Sequence, residues 1–222
     1  MVDTPTPDFW RQLDIVRPVE DLTFPVTIIG CGGIGSPTTL ALAKMGVGEI
    51  TVYDDDFLET HNLPNQIYKL SDVGKAKVES LLAVVEEFTG NKIKIHPEKV
   101  GANHKLGGVV ISGVDTMAAR AEIWKSIRYK PNILIYIDAR MGAEVCRIHT
   151  VQPVNPEDVR NYEKTLFTDE QATELRCTAQ AVIYNVFMIA ALITNQVKKF
   201  ARGEPFPKEV IFDLHSLIII SN

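Results

Sequence analysis

The chain has 222 residues, 45% of them apolar and 23% charged, with a formal net charge of −5. That length gives one large domain a core of ordinary size. The acidic balance argues against a nucleic-acid binder that works through a broadly basic surface, while leaving room for a local phosphate site. No apolar run approaches the roughly 20 residues needed to cross a bilayer. The N-terminal MVDTPTPDFWRQLD lacks the basic and apolar regions of a signal peptide, so a cytoplasmic location without membrane attachment is expected. Cys31, Cys146 and Cys177 are widely spaced and form no C-x-x-C pair, which argues against a disulfide framework or a zinc knot.

In chain order, the prolines at positions 5, 7, 18 and 25 restrict an N-terminal arm, residues 1–24, to a short helix around 8–13 and then loop. Residues 26–30 form an apolar run that reads as a buried strand and ends in GCGGIGS (30–36). A helix follows, with Leu40, Ala43 and Val47 on one face. Pro37 falls near its first turn, where a missing N–H is tolerated, and Gly46 and Gly48 stop it. EITVY (49–53) is a second strand, running into Asp54, Asp55 and Asp56. Strand, glycine loop, helix and strand together are the signature of a parallel α/β sheet.

The alternation continues with a helix over 72–88 capped by Asp72, strands over 92–96 and 109–112, a helix over 116–128, and an apolar strand over 133–137 ending at Asp138. A strand over 144–151 comes next. Residues 152–177 are polar and read as a long loop, of a kind that is uncommon and often functional. A long apolar helix over 179–200 and two closing strands, 210–214 and 217–220, complete the chain, turning near His215 and Ser216. The expected fold class is α/β: a Rossmann-like, mostly parallel sheet with flanking helices and C-terminal antiparallel strands.

Gly30, Gly32, Gly33 and Gly35 lie directly between a strand and a helix. Glycine lets the backbone turn tightly and approach a phosphate, and the helix N-terminus beyond supplies free N–H groups and positive dipole charge. The loop is therefore built for a nucleotide or another anion. Asp54, at the end of the second strand, is placed to grip ribose hydroxyls, or else to cap a turn. Neither feature separates ATP from NAD, and an NAD-dependent oxidoreductase remains a competing reading of these residues alone.

Three stretches narrow the choice: GCGGIGS (30–36), GVGEITVYDDDFLETHNLPNQ (46–66) and DVGKAKVE (72–79). In this order and at these separations they resemble the ThiF/MoeB/ubiquitin-activating enzyme superfamily. SGVDTMAAR (112–120), the segment from Cys177 to Phe200, and FWRQL (9–13) carry a weaker likeness, so it spans nearly the whole chain. The resemblance implies a single, minimal, zinc-free adenylation domain over 1–222, with the arm 1–24 and a crossover loop 152–177. It implies ATP-dependent adenylation of the C-terminal carboxylate of a ubiquitin-like or sulfur-carrier protein ending in Gly-Gly, with ATP and Mg2+ as cofactors and a homodimer as the working form.

By the same resemblance, Gly30, Gly32, Gly33, Gly35, Asp54, Asp56, Asn62, Gln66, Lys75 and Lys77 would bind ATP, Asp115 would hold magnesium, and Arg11 would reach the phosphates from the partner subunit. Cys177 would take an acyl group or sulfur. Its place beside Arg176 at a helix start would lower its pKa, although a free cysteine is more often a small buried hydrophobe. Lys77 reads by pattern alone as a solvated helix lysine, and Asp115 as a helix N-cap. Two departures matter: the pair of C-x-x-C motifs that bind structural zinc in many relatives is missing, which is why the domain is expected to be zinc-free, and the superfamily's N-L-x-R-Q reads NLPNQ, so Asn65 replaces a phosphate-binding arginine. Asparagine donates hydrogen bonds but no charge. That keeps two alternatives open, a non-catalytic subunit of a heterodimeric activating enzyme and an enzyme for a different carboxylate.

Overall fold

The computed structural model describes residues 7–167 and 181–222. Its centre is β1 (Val26–Ile29), whose four side chains are all buried. Such a run, apolar on both faces, belongs in the middle of a covered parallel sheet. β2 (Ile50–Tyr53), β3 (Lys94–His96), β4 (Gly108–Ser112) and β5 (Ile133–Gly142) complete the parallel part. β6 (Val145–Val151), β7 (Glu209–Asp213) and β8 (Ile218–Ser221) add antiparallel strands, giving the order β3-β2-β1-β4-β5-β6-β7-β8. Val26 stands opposite both Ile50 and Val109, which aligns the ends of β1, β2 and β4.

Among the described residues six α-helices flank the sheet: α1 (Pro18–Asp21), α2 (Gly35–Met45), α3 (Lys77–Thr89), α4 (Met117–Ile127), α5 (Pro156–Glu163) and α6 (Ile183–Ala201). Ile28, Val52 and Ile111 meet Leu42 of α2, Leu81 of α3 and Ile189 of α6 in one core. Ile29, Val110 and Tyr136 meet Ile123 and Trp124 of α4 and Val159 and Tyr162 of α5 in the other. The side-chain alternation of β4 places Val109 and Ile111 in the first core and Val110 in the second. No helix among the described residues is long and apolar enough to cross a membrane.

The expected α/β class and the closing hairpin, which turns between Asp213 and Ile218, are found. Several boundaries differ: α1 stands where the N-terminal arm was expected to be loop, and the helix expected from residue 179 begins at Ile183. The helix expected from residue 72 begins at Lys77, because Gly74 takes φ +89° and residues Leu70–Asp72 form a separate 3-10 turn. Within the expected 152–177 loop, Pro156–Glu163 form α5, started by the Asn155 side chain accepting the Glu157 N–H at 2.9 Å and by proline at the first helical position. The expected strand over 133–137 runs on to Gly142 because β6 folds back on it.

Candidate nucleotide site

The chain leaves β1 at Gly30, where φ is +90°, a conformation glycine adopts without steric cost. Gly35 is constrained more tightly: a Cβ there would stand 1.8 Å from the Gly30 carbonyl oxygen. α2 thus begins flush against the end of its own strand. A Cβ on Gly33 would lie 3.1 Å from the Asn65 carbonyl oxygen, whereas one on Gly32 would meet only Gln66 Nε2, at 3.9 Å. The 60–66 segment therefore borders the loop, and the N-terminus of α2 adjoins it, with the Ser36 N–H taken by the Gly32 carbonyl at 3.0 Å and no N–H on Pro37.

Asp54 ties β2 to this loop. Its Oδ2 accepts the Cys31 N–H at 2.6 Å and its Oδ1 the Asp56 N–H at 2.8 Å. Tyr68, itself buried, donates its hydroxyl to the Cys31 carbonyl at 2.6 Å. Burial pushes the Asp54 carboxyl up, against the pull of these N–H groups and of Lys77. Each oxygen retains lone-pair capacity for a ribose hydroxyl.

Lys77 is 7% exposed, so the solvated-lysine alternative does not hold. Its Nζ donates to Asp56 Oδ2 at 2.7 Å. The cause is a short antiparallel contact: Phe57 bridges Ala76, the Leu58 N–H meets the Lys75 carbonyl at 2.9 Å, and the Lys77 N–H meets the Asp56 carbonyl at 3.0 Å. The Lys77 charge acts on both Cys31 and Asp54. Lys75 is exposed and engaged by Asp72 at 2.9 Å. Asn62 Oδ1 accepts the Glu59 N–H at 2.9 Å, leaving its amide N–H groups uncommitted among the described residues.

Asp115 occupies an exposed bend after β4. It does not cap α4, a role that falls to Thr116, whose side chain accepts the Ala119 N–H at 3.2 Å. Among the described residues the Asp115 carboxylate has no hydrogen bond or ion pair, which leaves a hard oxygen ligand suited to a magnesium ion. Arg11 is brought elsewhere. Its guanidinium lies 5.2 Å from the Trp10 ring centroid, and neighbouring Gln12 bonds the carbonyl of Met45, the last residue of α2, at 2.7 Å. The eleven residues of α2 separate that end from the glycine loop by about 16 Å. Cys177 lies outside the described residues. Cys146 is a core residue, its thiol pushed up to about 12 by burial.

The sequence left one constellation unassigned. Asp138, fully buried at the end of the expected apolar strand, pairs with Arg120, and its Oδ2 also accepts Arg140 Nε at 2.8 Å and the Tyr162 hydroxyl at 3.1 Å. Burial opposes its charge, but the Arg120 and Arg140 guanidiniums hold the carboxyl below its usual range. Arg120 also donates to the Val114 carbonyl, beside Asp115. The available signal was an aspartate closing an apolar strand, with an arginine five residues beyond Asp115.

A strand, a glycine turn and a helix, with an acid from the second strand gripping the turn, define a protein of the Rossmann type. The chain belongs to the ThiF family, whose model matches residues 22–216. It is 34% identical over 97 residues to the SAMP-activating enzyme E1 of Haloferax volcanii, covering 43% of this chain and 36% of that protein. It is 32% identical over 102 residues to the probable adenylyltransferase/sulfurtransferase MoeZ of Mycobacterium tuberculosis, covering 43% and 26%. These matches span about a third or less of the relatives' own length. Among solved structures, E. coli MccB with ATP aligns over 92% of this chain and 64% of its own, with a TM-score of 0.72 and 21% identity. PaaA aligns over 92% and 74%, with a TM-score of 0.74 and 20% identity. At such identities the structural likeness is one of fold.

Proposed function

We propose that this chain uses ATP and Mg2+ to adenylate the C-terminal carboxylate of a ubiquitin-like or sulfur-carrier protein ending in Gly-Gly, as a cytoplasmic homodimer. One observation carries the reading: Asp54 and the buried Lys77 are fixed at a glycine loop, in a chain of the ThiF family. A relative named for SAMP activation and another named as an adenylyltransferase support it.

In the reaction a carboxylate oxygen of the carrier bonds to the α-phosphorus of ATP. The bond from that phosphorus to the bridging oxygen breaks, and pyrophosphate leaves with the electron pair. Both reactants are anions, so the site has to offset charge. Backbone N–H groups of the glycine loop, at the N-terminal end of α2, would hold phosphate or carboxylate oxygens. Asp54 would accept the ribose hydroxyls, and Lys77, oriented by Asp56, would face the phosphates. Asn62 and Gln66 would donate amide N–H groups, with Lys75 at the rim. Asp115 would hold Mg2+, which would supply positive charge against the phosphates. Arg11, at the far end of α2 in its own chain, would reach the phosphates only from a second copy. Cys177 would receive the acyl group afterwards, its thiolate attacking the carbonyl carbon of the adenylate while AMP leaves with the electron pair of the broken C–O bond.

ATP–pyrophosphate exchange, measured with and without carriers ending in Gly-Gly, tests the proposal. Exchange that needs the carrier and disappears in Asp115→Ala is expected. ATP binding without exchange for any carrier would point to a different carboxylate. Asn65 favours one further reading, a non-catalytic subunit, for which ATP would not bind at all.

A further inference from the structure

Cys31 has both of its peptide planes fixed by side chains from outside the glycine loop. Asp54 Oδ2 accepts its N–H at 2.6 Å, which holds the Gly30–Cys31 plane. The Tyr68 hydroxyl donates to its carbonyl at 2.6 Å, which holds the Cys31–Gly32 plane. The following plane, Gly32–Gly33, is held from α2, where the Ser36 N–H and hydroxyl both donate to the Gly32 carbonyl, at 3.0 and 2.8 Å. Consecutive peptides of the loop are thus each set by a hydrogen bond.

The middle plane depends on its bond the most. A Cβ on Gly32 would meet only Gln66 Nε2, at 3.9 Å, so packing does not hold that residue in place. Glycine also accepts either sign of φ, and the Cys31–Gly32 plane can turn about its flanking bonds at little cost unless something opposes it. Tyr68 opposes it. The tyrosine is buried in the same core as Leu42 of α2 and Leu81 of α3, and burial pushes its hydroxyl well above its ordinary range, so it remains a donor. The peptide is trans, so its C=O and N–H point to opposite sides. Drawing the Cys31 carbonyl toward the core therefore turns the Gly32 N–H away from it, to the open side of the loop. Among the described residues this N–H has no acceptor.

We infer that Tyr68 is a positioning residue, whose hydroxyl aims the Gly32 N–H at an oxygen of the α-phosphate. The inference rests on the adenylation reading above. Asp54, the acid for the ribose hydroxyls in that reading, and Tyr68 grip opposite sides of one residue. The N–H that Tyr68 directs is thus next to the ribose, where the first phosphate lies.

The test is an NMR titration of 15N-labelled wild type and Tyr68→Phe with ATP in Mg2+, with AMP and with adenosine, and thermal melting to confirm folding. In the wild type the Gly32 amide proton is expected to move downfield with AMP and ATP but not with adenosine. Tyr68→Phe, which deletes a single hydroxyl, is expected to weaken AMP and ATP by about tenfold and adenosine by less than about twofold, because the bond lost is one to a charged group. A hydroxyl that served the fold alone would lower the melting temperature and leave the three ligands equally affected. Equal weakening of AMP and adenosine, or unchanged AMP affinity in a folded variant, overturns the inference and leaves adenylation intact. Should Tyr68→Phe fail to fold, the wild-type spectrum decides, since a Gly32 amide unmoved by bound AMP overturns it as well. Absence of ATP binding by the wild type overturns the adenylation reading and this inference with it.

Discussion

His149 on β6 gives the protein a pH dependence that can be worked out in sign and size. The ring is buried, lies 6.0 Å from the Tyr162 ring, and leaves Nε2 without a partner, while Nδ1 is 3.7 Å from a Glu209 carboxylate oxygen. Burial first, and then the Arg140 charge, lowers its pKa from 6.5 to about 4, against a smaller opposing pull from Asp138. Between those values the unfolded chain binds a proton that the folded chain refuses, so stability falls as pH falls through this window. From pH 7 to pH 4.5 the loss is roughly 2 kcal/mol. Asp138, whose pKa is lowered, contributes stability that is lost only below 3.8, outside that range. Urea unfolding of wild type and His149→Gln at pH 7, 5.5 and 4.5 isolates the effect, because the exposed carboxylates titrate alike in both proteins. The glutamine variant should show a shallower fall by about that amount. Parallel curves for the two proteins would refute the assignment of a neutral buried imidazole.

Other substitutions probe the fold and the site. Gly35→Ala places a methyl 1.8 Å from the Gly30 carbonyl oxygen and should cost about 3 kcal/mol or more, whereas Gly48→Ala, with nothing within 4 Å, should stay within about 0.5 kcal/mol in the same thermal melts. Asp138→Asn leaves the buried Arg120 and partly buried Arg140 guanidiniums without their carboxylate and should cost about 3–5 kcal/mol by chemical denaturation; a loss below about 1 kcal/mol would mean that both find other partners. Lys77→Met should lower ATP–pyrophosphate exchange by about 10- to 100-fold, the worth of one charge-assisted hydrogen bond. Unchanged exchange would remove Lys77 from the site.

The parts legible in the sequence were those set by local pattern. β1 and β4 are apolar on both faces, so their burial could be read directly, and the glycines follow from backbone conformations no other residue adopts cheaply. α5 was hidden because it buries only Val159 and Tyr162 among polar neighbours, too few to set a period. Lys77 looked exposed by pattern; its burial comes from the Phe57–Ala76 bridge, a pairing between segments that no local rule announces. The placement of Arg11 follows from Gln12 docking on the end of α2, again a tertiary contact. Asp138 was visible as a strand-ending acid, but its pairing with Arg120 depends on α4 packing against β5, whereas Arg140 lies two residues on along β5 itself.

That choice bears on why a charge is buried there at all. An apolar residue at position 138, with matching replacements for its partners, could be as stable as the ion pairs or more so. What the ions add is direction. Arg120 reaches from Asp138 to the Val114 carbonyl and so fixes the bend that carries Asp115. Arg140 reaches from the same carboxylate to Thr165, through the carbonyl at 3.0 Å and Oγ1 at 2.9 Å, and fixes the chain just beyond α5. Asp138 also sits on β5, the strand that is parallel to β4 on one side and antiparallel to β6 on the other. One carboxylate at this seam therefore sets the bend that carries Asp115 and the chain beyond α5 relative to each other, a positional constraint that a repacked apolar cluster would not impose. On this hypothesis the network is kept for geometry rather than for net stability.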